Sequence, residues 1–222
     1  MWGFNLYGQV GDNTRSPGYS SPVQIPGTTW AAITLHTTRS MATKTDGTLW
    51  SWGYQYRGTL GHNQGGAIRI SSPTQIPGTT WSTSFRKMAL TNTTSAIKTD
   101  GTMWLWGEND HGQFANNTAG TPTNRSSPVQ LPGTTWRSLC HIQDGVLASK
   151  TDGTLWAWGR GAEQNGQLRQ NSQISYSSPV QIPGTTWSGV VGGGMYHGVA
   201  TKTDGTLWGL SLIHISEPTR PY

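Results

Sequence analysis

Apolar positions in this chain alternate with polar ones over short runs. Nowhere do they recur at three-and-four spacing for three helical turns. The clearest run is Ser40-Met41-Ala42-Thr43-Lys44-Thr45, then Asp46-Gly47, then Thr48-Leu49-Trp50-Ser51-Trp52. Asp-Gly between two β-forming runs predicts a hairpin. In the return strand the two-residue period puts Trp50 and Trp52 on one face and Leu49 on the other. Both faces carry apolar bulk, so the strand is expected to be buried on both sides. The hairpin is spelled out again at Asp100-Gly101 with Trp104 and Trp106, and at Asp152-Gly153 with Trp156 and Trp158. A fourth copy holds Asp204-Gly205 and Trp208. All of these are read as frame residues.

A second anchor, Pro-Gly-Thr-Thr-Trp, ends at Trp30, Trp81, Trp136 and Trp187. With the Trp-Gly positions Trp2, Trp52, Trp106 and Trp158, the anchors and hairpins account for all twelve Trp. A glycine-rich loop follows each Trp-Gly: Trp2 to Gly11 holds Asn5, Gly8 and Gln9, and Trp106 to Ala115 holds Asn109, Gly112 and Gln113. Trp52 to Gly61 has Gln55 and Thr59 instead. Glycines in such a loop permit positive φ and close backbone approach, so a compact loop held by its own backbone is expected. After a variable polar stretch comes Pro-Val-Gln-Ile-Pro (Pro22 to Pro26), where a strand between prolines suits only an outer edge.

Each unit therefore carries four short strands and no helix, and recurs about every 52 residues. One four-stranded sheet cannot bury two apolar faces alone, whereas sheets stacked radially can. The predicted fold is all-β, a β-propeller of four-stranded blades. The units run 2–51, 52–105, 106–157 and 158–207. Residues 210–222 match nothing in the repeats and resemble translated sequencing adapter, so they are left out of the fold. Met1-Trp2-Gly3 aligns with Ser51-Trp52-Gly53, halfway through a unit, which suggests a truncated, metagenomic fragment.

Composition narrows the function classes. Only 11% of residues are charged, so a formal charge of +5 is a mild tilt. The repeat lysines Lys44, Lys98, Lys150 and Lys202 are expected to be solvated and spread around a ring, unlike the clustered cations of a nucleic-acid footprint. The single Cys140, in Leu139-Cys140-His141-Ile142, excludes an intrachain disulfide framework and suits a small core residue. No apolar run reaches membrane-span length.

Trp-Gly-x-Asn-x-x-Gly-Gln-x-Gly, then Pro-Val, then Gly-x-x-His-x-x-Ala before Asp-Gly, resembles the regulator of chromosome condensation (alpha-tubulin suppressor-like) repeat family. Gly194-Met195-Tyr196-His197-Gly198-Val199-Ala200 carries the middle piece; Arg39, Thr93 and Gly145 stand where the other units would hold that His. The resemblance implies a seven-bladed propeller, of which about four blades are present as an incomplete ring. The near-identical repeats are similar to bacterial or phage members. Within the family, functions range from nucleotide exchange on a small GTPase to ultraviolet sensing, and no partner-contact motif carries over.

Candidate chemistry is sparse. The Asp of Thr-Asp-Gly-Thr is sufficiently explained as a turn residue. His36, His62, His111, His141 and His197 share no repeat position, and the Gly runs lack the Lys-Ser/Thr of a phosphate loop. No catalytic residue, metal or cofactor is assigned. The variable loops are the expected binding surface: Tyr54, Tyr56, Arg57 and His62, then Glu108, Asp110 and His111, then Arg160 and Glu163. The function expected is a non-enzymatic module that recognises a protein or ligand through ring-face loops. The alternatives are a surface or phage adhesive protein binding glycan, and an exchange factor for guanine nucleotides. The partner is thus a protein or glycan, with nucleic acid disfavoured, no obligate oligomer for an intact ring, and display outside the cytoplasm favoured.

Overall fold

The computed structural model describes residues 1–160, 175–194 and 197–210, residue 210 for its backbone only. The chain is all-β. A short pair, β1 (Gly3–Phe4) and β2 (Gly18–Tyr19), precedes three four-stranded antiparallel sheets. The first sheet is β3 (Trp30–His36), β4 (Arg39–Lys44), β5 (Leu49–Gln55) and β6 (Ile68–Ile76). The second is β7 (Met88–Leu90), β8 (Thr93–Ile97), β9 (Met103–Gly107) and β10 (Arg125–Leu131). The third is β11 (Trp136–Ile142), β12 (Gly145–Lys150), β13 (Leu155–Gly159) and β14 (Tyr176–Ile182). A last sheet pairs β15 (Trp187–Gly193), β16 (Gly198–Lys202) and β17 (Leu207–Leu210). Each sheet is a simple meander, and apolar cores fill the spaces between consecutive sheets. These are propeller blades in an unclosed ring. β3, β11 and β15 start at the Trp of Pro-Gly-Thr-Thr-Trp, and Trp81 bridges Lys98 ahead of β7, so each four-stranded blade takes its strands from two consecutive sequence units.

The Asp-Gly hairpin forms in every blade, with Ala42 opposite Trp50 and Ser40 opposite Trp52 in the first. Its loop has three residues, not two: Lys44 N donates to Thr48 O at 3.0 Å, and Gly47 takes a φ of 77°. A left-handed Gly closing a three-residue loop matches the strand twist. The Asp46 carboxylate accepts from Thr48 N (2.9 Å) and Thr48 Oγ1 (2.7 Å), and Thr48 Oγ1 accepts the Trp50 indole N–H (2.8 Å). The relay recurs at Asp100–Thr102–Trp104, Asp152–Thr154–Trp156 and Asp204–Thr206–Trp208. The Asp46 carboxyl lies below its ordinary range because the Thr48 hydroxyl and amide donate to it.

Burial follows the predicted alternation with one refinement. Leu49 and Trp52 are fully buried, while Trp50 is half-buried. Trp52 reaches across to the preceding glycine loop, its indole N–H donating to Gln9 O at 2.9 Å. Trp106 and Trp158 do the same to Thr59 O (3.1 Å) and Gln113 O (2.7 Å). Trp50 instead packs with Trp30 around an ammonium: Lys44 Nζ lies 4.8 Å and 4.4 Å from the two ring centroids. Lys98, Lys150 and Lys202 are sandwiched between Trp pairs in the same way. The repeat lysines are therefore not simply solvated; their charge sits on indole faces.

The proline-flanked segments form β6, β10 and β14, each at one edge of its sheet. The glycine loop is held by more than backbone. Asn5, Gln55 and Asn109 are fully buried, and their side-chain oxygens accept the amides of Val10 (2.9 Å), Leu60 (2.9 Å) and Phe114 (2.7 Å). Asn109 Nδ2 also donates to Thr118 O and Thr123 Oγ1. One amide side chain thus satisfies both sides of a loop that no strand can reach.

Candidate binding face

The blades have two unlike ends. At one lie the Asp-Gly turns, the Lys–Trp sandwiches and the Pro-Gly-Thr-Thr segments, nearly the same in every blade. At the other lie the variable loops and the turns between the first two strands of each blade. Hydrogen bonds tie these together: Tyr54 N donates to Thr38 O (2.8 Å), Glu108 N to Asn92 O (3.0 Å) and Arg160 N to Asp144 O (3.1 Å). Three loops that differ in sequence are thereby set at equivalent positions on one face.

Neighbouring loops touch at the first two blade junctions, and the chemistry differs between them. Tyr7 meets Tyr54 with centroids 5.1 Å apart. Arg57, one unit on from Tyr7, meets Glu108 and Asp110, with Nη1 3.2 Å from Glu108 Oε1 and bonded to Asp110 Oδ2. Thr121 Oγ1 also donates to Asp110 at 3.1 Å. Within the third blade, Arg160 pairs with Asp144, in the turn between β11 and β12, at 3.2 Å. Between these turns lies a cleft of about 470 Å³, lined in part by Leu35, His36, Thr91, His141, Asp144 and Gly194.

The two carboxyls of the ionic junction are pushed apart. Burial raises Glu108 to about 7, helped by its hydrogen bond to Asp110 and opposed by Arg57. Burial works to raise Asp110 as well, but hydrogen bonds with Glu108, Thr121 and Arg57 outweigh it and hold it below its ordinary value. A buried guanidinium, Arg39, lies close enough to feel Glu108; desolvation lowers it to about 10 while the Glu108 charge opposes the fall. Arg39 Nη1 donates to Thr91 O at 3.0 Å.

Of the residues expected from sequence, Tyr54, Tyr56, Arg57, Glu108, Asp110 and Arg160 gather on this face. Tyr54 and Tyr56 lie parallel at 6.3 Å, and the Arg57 guanidinium stands 5.1 Å over Tyr56. His111 lies in the same loop and is half-buried; its amide donates to Gln113 Oε1 at 2.9 Å. His62 belongs under the loop: Nε2 is 2.9 Å from Ser51 Oγ and 3.2 Å from Thr74 O, and burial holds its pKa down. Ser51 is itself buried and donates to Leu60 O, so the pair offers no accessible nucleophile. Glu163 lies outside the described residues. Phe4, Tyr7, Arg39, Arg69 and Asp144 were not singled out from sequence. Comparing each loop with its neighbour across the junction would have found Tyr7, which aligns with Arg57.

His141 is a core residue. Its ring bonds Thr91 Oγ1 (2.9 Å) and Ser95 Oγ (2.6 Å), and burial lowers its pKa to about 3. Cys140 is partly buried, its thiol pushed up to about 12 by desolvation. Among the described residues, no three His, Cys, Asp or Glu side chains are placed to hold a metal ion. No helix among them is long and apolar enough to cross a membrane.

Comparison with known proteins agrees with this architecture. Residues 46–96 match the regulator of chromosome condensation (RCC1) repeat. The protein RCC2 homolog of Danio rerio is 25% identical over 181 residues, covering 82% of this chain and 33% of that protein. The chain therefore spans about a third of that relative's length. Human WBSCR16 superposes with a TM-score of 0.72 at 20% identity, over 92% of this chain and 55% of that one. Yeast RCC1 (Prp20), solved bound to Kap60, gives a TM-score of 0.62 at 19% identity, over 81% and 43%. The matched repeat and the superposed folds show a β-propeller similar to the RCC1-repeat proteins.

Proposed function

We propose that the chain is a non-catalytic recognition module that holds a protein or glycan partner on its loop face. One observation carries this: side chains at variable positions gather on a single face, at two blade junctions and beside them, while the repeated residues are used up in packing. Arg57 with Glu108 and Asp110, Arg160 with Asp144, and the Tyr54–Tyr56 pair are all at that end. A rigid frame presenting unlike loops is how propellers build binding surfaces. Tyr and Arg are also the residues that anchor interfaces most often. That yeast RCC1 is solved bound to Kap60 fits a propeller as a docking platform.

The test is to screen the chain against a glycan array and a displayed peptide library, then repeat the screen with Arg57→Glu and with Lys98→Gln at the opposite end. Binding lost in the first variant and kept in the second is expected. Equal loss in both, or loss only in the second, refutes recognition by this face.

A further inference from the structure

Four aromatic rings form a continuous strip on the loop face. Phe4 and Tyr7 lie 5.9 Å apart, Tyr7 and Tyr54 5.1 Å, and Tyr54 and Tyr56 6.3 Å between centroids. The interplanar angles fall from 59° through 46° to 7°, so the strip is a curved series of platforms and not one closed stack. Phe4 and Tyr56 are exposed, at 54% and 41%, and Tyr7 and Tyr54 are half-buried. Four contiguous rings, two of them exposed and two half-buried, make a surface that calls for an occupant. A guanidinium stands over one interior and one end ring: Arg69 lies 5.1 Å from the Tyr7 centroid and Arg57 5.1 Å from that of Tyr56.

We propose that this strip binds an extended, uncharged oligosaccharide, one sugar ring resting on each of successive aromatic rings. The proposal deepens the recognition function argued above and rests on it. The spacing carries it first: steps of 5.1–6.3 Å are close to the length of one pyranose unit in an extended chain. The chemistry carries it second. A sugar offers C–H faces for the rings and hydroxyls for the Tyr phenols and the two guanidinium groups. Charge then selects among ligands that stack. Arg57 is already engaged by Glu108 and Asp110, so a polyanion lying along the strip would run into two carboxyls at that end. Single-stranded nucleic acid, which also stacks on aromatic rings, needs an open cationic track that is interrupted here.

The chain is to be tested by affinity electrophoresis and tyrosine fluorescence titration with four probes: cellohexaose, chitohexaose, an oligothymidylate and a proline-rich decapeptide. Binding of a neutral hexasaccharide is expected, weakened at least about tenfold in Tyr56→Ala and in Phe4→Ala. Phe85→Ala, also exposed but off the strip, should bind as the unchanged chain does. Thermal melts of each variant separate lost binding from lost folding, since the strip residues are exposed enough to be cut back without opening a core. Preference for the oligothymidylate or the peptide, lost in the same variants, overturns the saccharide and leaves the recognition face standing. Saccharide binding that neither variant weakens overturns the strip. Should no probe bind while Arg57→Glu still abolishes capture from the peptide library, the saccharide alone has failed.

Discussion

The four Asp-Gly turns contain a built-in experiment on how blades hold one another. Gly47, Gly101, Gly153 and Gly205 share nearly one backbone conformation, with φ of 77°, 80°, 81° and 85°. What they face differs. A Cβ on Gly101 would lie 2.1 Å from Thr134 O and one on Gly153 2.2 Å from Thr185 O, in the next blade; on Gly47 the nearest atom is 3.2 Å away. On Gly205 nothing lies within 4 Å. Replacing each by Ala imposes the same left-handed backbone cost of about 1–2 kcal/mol. At Gly101 the carbonyl of Thr134 must also retreat. That strains the neighbouring bond from Trp136 N to Gly101 O, 3.1 Å long, and Trp136 is buried. Stranding such a donor adds about 1–3 kcal/mol. Gly101→Ala and Gly153→Ala should thus cost roughly 2–5 kcal/mol and Gly205→Ala only the backbone share, with Gly47→Ala between. Urea unfolding followed by Trp fluorescence measures all four, and amide exchange at Trp136 and Trp187 reports the junction locally. If the four variants agree within about 0.5 kcal/mol, the close approach between blades contributes nothing and the reasoning fails.

Ala115 stands at a φ of 53° where the equivalent residues are Gly11 and Gly61. Ala115→Gly should relieve left-handed strain and stabilise by roughly 0.5–1 kcal/mol, read as a rise in urea midpoint. Glu108 titrates higher in the fold than its ordinary 4.5, at about 7. The folded chain then keeps a proton that the unfolded chain has lost, so stability falls as pH rises between those two values. Glu108→Gln should flatten that slope and be the more stable form above it. Asp110 is shifted the other way, and its contribution fades only in acid below that window. A slope unchanged in Glu108→Gln would contradict the assignment.

What was legible in the sequence was whatever the repeat wrote several times. Strands, turns, the outer position of the proline segments and the double burial of the Leu49–Trp52 strand all follow from local period and turn chemistry, repeated until chance is excluded. Two things were not legible because they depend on a partner far along the chain. Lys44 reads as a surface charge until Trp30 and Trp50 are seen to enclose it, and Asn5 reads as one more loop residue until its buried amide closes the loop. The binding face was half legible for the same reason. Tyr54, Arg57 and Glu108 could be picked by their variability, but the unit of recognition is the junction, where the fourth loop residue of one unit meets the first of the next. At the first junction that pair is Tyr7 and Tyr54, and at the second it is Arg57 and Glu108. One geometric slot therefore accepts either stacking or an ion pair without disturbing the frame beneath it. The frame's economy explains why: the Trp-Gly step at or near the end of a blade's third strand fixes the loop backbone, so the side chains just beyond it are free to change partner chemistry while their positions stay put. A propeller built this way gains new binding specificity by substituting pairs across a junction. Tyr7→Arg together with Tyr54→Glu, which copies the second junction onto the first, should fold normally and lose the aromatic strip. A matching loss of thermal stability in that double variant would show that the first junction is packing, not recognition.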